Sequence, residues 1–228
     1  MLIAEDLLLL LTGDDSGKAQ VDGTKLDHAL AGAVLLELTL SGAVDLAGAQ
    51  DSLKPGRVVI RNSGATGDGV LDEGLRRVER KAGRKPKDVV PALTKGLRAQ
   101  LYEQLAGRGI VQAERDKVLG LFPRTRWPVA DSEHERRIRT QLRDQLVHGV
   151  SADERTGALI SLLSAIDAVS TVIDPRDAGL DKRELNNRAK AIAEGQWASE
   201  AVRKAVEAVN AEVTAAVVAV TVASTAGN

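Results

Sequence analysis

A mainly α fold is predicted: a single compact helical domain, spanning residues 1–228, with a buried central helix and one β-hairpin. Three observations predict it. Aromatic residues are 2% of the 228 residues, so the core must be built from Leu, Val, Ile and Ala, which suits closely packed helices and disfavours many-stranded sheets. In residues 24–46, Leu26, Leu30, Ala33, Leu36 and Leu40 recur at three-or-four spacing, and from Ala33 onward the apolar surface runs nearly all the way round, the pattern of a buried helix. No repeat, low-complexity tract or linker divides the chain.

In chain order, residues 2–11 form a leucine-dense element closed by the turn residues 13–17. The central helix stops at Ser41-Gly42, and AVDLAG then reads as strand-like. RVVIR (57–61) is a second short strand after the Lys54-Pro55-Gly56 turn. A loop over 62–69 leads into VLDEGLRRVER, a helix ended by Gly83 and Pro86. Leu93, Leu97, Leu101 and Leu105 predict one amphipathic helix over 89–106. IVQAERDKVLGLF follows as two strands around a polar turn at 114–117, and Pro123 and Pro128 bracket a loop. Asp131 or Ser132 caps a helix over 133–147. Residues 156–173 hold one charge in eighteen residues and predict a second buried helix. A polar helix over 182–194 and a last amphipathic helix from Trp197 complete the chain, with 213–223 read as buried.

The formal net charge is −1, but it is unevenly laid out. Residues 1–51 carry nine Asp or Glu against two Lys, and residues 76–98 carry nine Lys or Arg against Glu79 and Asp88. The second block is either a solvated face or an anion-binding surface. No run reaches the roughly 18 apolar residues of a membrane span. The N-terminal leucines follow Glu5 and Asp6 where a signal peptide needs basic residues. A cytoplasmic protein is therefore expected, one that meets a membrane only from its cytoplasmic surface.

Enzyme signatures are absent. GATGDG (64–69) lacks the Gly-Lys-Ser/Thr ending of a phosphate loop, and His134-Glu135 lacks the second imidazole of a zinc site, because Ile138 stands in its place. Asp68, Asp72 and Glu73 sit where carboxylates cap a helix, and Glu37 predicts a structural ion pair with an arginine. No cofactor, metal or catalytic residue is expected. A helix followed by a hairpin also has the outline of a winged DNA-binding unit, with Lys95, Arg98 and Gln100 exposed. Glu103 nearby and a pI of about 6.3 weigh against nucleic acid.

Four blocks carry a family likeness: Leu7 to Leu10 after the acidic pair, LAGAVLLELTLSG from Leu30, TGDGVLDEGL from Thr66 and LRAQLYEQLAGRGIV from Leu97. In this order they resemble the Golgi phosphoprotein-three family of phosphatidylinositol 4-phosphate-binding proteins, with a composition that suggests a bacterial branch. The resemblance implies a helical domain with a projecting hairpin, attached peripherally to membranes. It further implies oligomer formation through the hairpin, and bilayer insertion by apolar residues near Val118, Leu119 and Gly120.

The family's head-group pocket uses a tryptophan, a basic residue, and two arginines three apart. By the resemblance the arginines fall on Lys95 and Arg98, while the other two fall on Asp22 and Ala31. Asp22 repels a phosphate, so altered head-group specificity is expected. The candidate anion site is Lys95 and Arg98 with Arg84, Lys85 and Lys87, and Trp127 between its arginines is a candidate interfacial anchor. The partner implied is anionic phospholipid or phosphoinositide. The alternative is an interaction or oligomeric scaffold that kept the fold and lost the lipid.

Overall fold

The computed structural model describes residues 1–118, 122–194 and 200–225, and the side chains within them except those of 115–124, 200–201, 217 and 220–225. It is mainly helical. Helix α1 (Ile3–Leu10) and helix α2 (Gly23–Leu40) form its centre. The five leucines 7–11 are fully buried because α1 is enclosed by several helices. Its acidic pair does not face solvent. Glu5 is wholly buried and bonded to Arg108 at 2.8 Å and to the Leu2 amide at 2.8 Å. Asp6 meets His134 at 2.8 Å.

Helix α2 ends as the sequence predicts. Gly42 adopts φ +72°, and the Ala43 amide returns to the Leu38 carbonyl at 3.0 Å, a closure that needs a left-handed residue. Strand β1 (Val44–Leu46) then pairs antiparallel with β2 (Val58–Ile60), Val44 opposite Ile60, a second small sheet beside the predicted hairpin. Helix α3 (Gly69–Glu79) is capped by Asp68, which accepts from Val70 N at 2.9 Å. Gly74 seats it on α2, since a Cβ there would stand 2.7 Å from Val34 Cγ1.

The single helix expected over 89–106 is two helices, α4 (Pro86–Leu93) and α5 (Leu97–Gly107). The leucine period runs through both, but Gly96 at φ +73° breaks the backbone between them. Strands β3 (Glu114–Val118) and β4 (Phe122–Arg126) pair with Lys117 opposite Pro123. The stretch 114–117 expected as a turn is thus a strand, and so is most of the loop expected between Pro123 and Pro128. Proline is tolerated because a two-stranded ladder consists only of edges. Trp127 N bonds Gly17 O at 3.3 Å and ties the end of the hairpin to the loop after α1.

Helix α6 (Glu133–Leu146) leads to α7 (Glu154–Ala165), and a short α8 (Val169–Val172) follows. The expected continuous helix over 156–173 fails at Asp167, its one charged residue, which takes φ +55°. Ala168 N closes α7 on Leu163 O at 2.8 Å. Helix α9 (Lys182–Ala193) precedes α10 (Glu200–Thr225). Trp197 lies outside the described residues. Helix α10 lies along α2 at Gly32, where a Cβ would stand 2.7 Å from Val209 Cγ1. Burial along α10 reaches Val213, whereas Ala215, Val218 and Ala219 are exposed, so 213–223 is not the buried run expected.

Candidate functional site

The break at Gly96 decides how the predicted cations are arranged. Lys95 stands in the turn before α5, and Arg98 stands in its first turn. The two open onto different clefts, with Gly96 on the wall of both.

The Arg98 cleft has a volume of about 510 Å³ and lies between the N-terminal ends of α2 and α5, the loop at Gly17–Ala19, and Trp127. Arg98 donates from Nε to Asp27 Oδ1 at 2.8 Å, and its Nη2 bonds the Gly23 carbonyl. Asp22 accepts from the amides of Thr24 at 2.9 Å and Lys25 at 3.0 Å. Its carboxylate thereby takes the α2 amides that would otherwise attract an anion. Trp127 is half-buried and stacks parallel on Tyr102 with ring centroids 5.0 Å apart. The Tyr102 hydroxyl lies 2.8 Å from Thr12 Oγ1, and burial pushes its pKa above the ordinary phenol value.

The Lys95 cleft is open, about 580 Å³ in volume, and lies between α3 and the α4–α5 turn. Arg77 holds that turn, donating to Lys95 O at 2.7 Å and to Glu73 at 2.7 Å. Glu73 also meets Arg76 at 2.8 Å, and the bond from Arg77 holds its carboxyl below the ordinary carboxylate range. Arg80 and Lys81 line the same cleft as Lys95, all three exposed, and among the described residues none of them has an ion-pair partner.

Arg84, Lys85 and Lys87 are exposed at the other end of α4 and line neither cleft. Eight helical residues separate the ends of α4 by about 12 Å. Val118 pairs with Phe122 at the end of β3, and Leu119 lies outside the described residues.

The sequence reading missed Arg80 and Lys81, although both lie in the basic block already singled out. It also missed Asp27 and Tyr102, whose relation to Arg98 and Trp127 no spacing reveals. Among the described residues no helix is long and apolar enough to cross a membrane. The molecule is thus a mainly helical protein with two charged clefts flanking the start of α5. It belongs to the Golgi phosphoprotein 3 (GPP34) family, whose model matches residues 3–209.

Proposed function

We propose that this protein attaches peripherally to anionic phospholipid, phosphoinositides included, on the cytoplasmic face of a membrane. In this reading it is a binding protein and not an enzyme. The observation that carries it is the convergence of Arg80, Lys81 and Lys95 on one open cleft with no carboxylate paired to them among the described residues. Arg84, Lys85 and Lys87, exposed at the other end of α4, add further cations outside that cleft. Each cation near an anionic leaflet contributes about 1 kcal/mol, so the attachment is weak, additive and salt-sensitive. Arg98, held by Asp27, contributes less than its position in the sequence implies.

Flotation with vesicles containing phosphatidylinositol 4-phosphate, phosphatidylinositol or phosphatidylserine tests this. Wild type is expected to float with all three at low salt, and Lys81→Glu/Lys95→Glu to remain unbound. A wild type that floats with none of them refutes the proposal.

Asp22 and Asp27 also favour a second reading, an interaction scaffold that kept the fold and uses the hairpin, with Val118 and Leu119, to form oligomers. Sedimentation analysis distinguishes it: a concentration-dependent oligomer together with no flotation is its signature.

A further inference from the structure

The Arg98 cleft carries charge of both signs beside an aromatic wall, and that combination points to a ligand different from the anion expected at the Lys95 cleft. We infer that the Arg98 cleft binds a zwitterion in which a primary ammonium and a phosphodiester lie a few ångströms apart, the chemistry of an ethanolamine phosphate group.

The ion pair leaves one position free on each partner. Asp27 uses Oδ1 for Arg98, and its Oδ2 takes no hydrogen bond among the described residues. Arg98 spends Nε on Asp27 and Nη2 on Gly23, while Nη1 takes no acceptor among the described residues. The Asp27 and Arg98 side chains are 37% and 29% exposed, and both line the cleft. One cleft thus offers a carboxylate oxygen for an ammonium and a guanidinium N–H for a phosphate oxygen, with Lys18 lining it as a further cation. Trp127, stacked on Tyr102, lines the cleft with it and adds an aromatic surface of the kind that attracts an ammonium.

Alternatives fit less well. A polyanionic head group meets the Asp27 carboxylate, and nearby the α2 amides are already taken by Asp22. A neutral ligand can hydrogen-bond to both groups but brings no charge of its own to either. A zwitterion satisfies both signs without leaving either unpaired.

The site does not depend on the membrane proposal, because a free glycerophosphodiester and a lipid head group present the same chemistry. The soluble probe is glycerophosphoethanolamine, compared with glycerophosphoglycerol, the same diester without the ammonium. Backbone and indole NMR shifts of Arg98 and Trp127 are followed at constant ionic strength. Saturable shifts are expected with the first, and binding weaker by about tenfold with the second. Asp27→Asn should abolish that preference. Thermal unfolding confirms that the variant is folded, and Trp127→Leu, which spares the ion pair, should weaken the zwitterion several-fold. The exposed pair Arg136→Ala/Arg137→Ala on α6 controls for loss of charge and should leave binding unchanged.

Equal affinity for both probes, absence of saturable shifts, or a folded Asp27→Asn that keeps its preference overturns the inference. Vesicles of phosphatidylethanolamine against phosphatidylcholine, offered to Arg80→Ala/Lys81→Ala, identify the source: flotation with the first alone supports the lipid head group. Soluble binding without flotation supports the free diester. If the probe binds while no anionic vesicle floats wild type, the membrane proposal fails and this site stands. The converse result leaves the membrane proposal and removes the site.

Discussion

Single side chains decide the charge of each cleft. Asp27 makes Arg98 half of an ion pair. Asp27→Asn is therefore expected to strengthen flotation with phosphatidylinositol 4-phosphate vesicles by several-fold, the opposite of its effect on the zwitterionic probe. Glu135 makes a separate point about pH. It is 3% exposed on α6, its Oε2 has no hydrogen-bond partner among the described residues, and burial raises its pKa above 4.5 despite the Arg139 guanidinium. A carboxyl whose folded pKa lies above its unfolded value stabilises the fold below the unfolded pKa, and that contribution is lost as pH rises through the folded pKa. Glu135→Gln should flatten the dependence of stability on pH from about pH 4.5 upward, as urea unfolding across pH would show. A variant whose pH profile matches wild type would contradict the assignment.

Among elements, contact between α2 and α10 depends on the absence of a side chain. Gly32 faces Val209, Leu162 and Val213. Gly32→Val forces these apart and should cost about 1–3 kcal/mol in chemical unfolding. Helix α1 is held at its start by Glu37, which accepts the Ile3 amide at 2.7 Å and pairs with Arg155, the structural ion pair that an acid within an apolar helix predicts. Arg155 also donates to the Met1 carbonyl at 2.7 Å. Arg155→Ala leaves a half-buried carboxylate without its main cation and should cost about 1–3 kcal/mol, with early hydrogen exchange at the amides of α1. The break between α4 and α5 belongs to the same scale. Gly96→Ala must place a Cβ at φ +73°, at a cost of about 1–2 kcal/mol, and would shift Lys95 relative to Arg98.

For the whole molecule, the balance of charge matters more than its sum. A net charge of −1 coexists with the basic surface of α3 and α4, so attachment through it should be electrostatic. Raising ionic strength from about 0.1 M to about 1 M shortens the Debye length from about 10 Å to about 3 Å and should release the protein from anionic vesicles. Retention at high salt would mean that apolar insertion dominates. Much of this molecule was legible in its residues. The leucine spacing of α2, the Gly42 helix end, the capping role of Asp68 and the partner class of Glu37 follow from local periodicity, backbone freedom and the cost of burying charge. Those effects act within a few residues along the chain. The clefts were not legible, because Arg80 and Lys95, or Trp127 and Tyr102, meet only when helices and a hairpin distant in sequence are packed. The family resemblance aligns Lys95 and Arg98 with one pocket; in the fold Arg98 lines the cleft with Trp127 and Lys95 the cleft with Arg80, and the left-handed Gly96 lies on the wall of both. The residues themselves settled which helices form and where they stop; packing settled which charges share a cleft, since electrostatic pairing depends on distance in space.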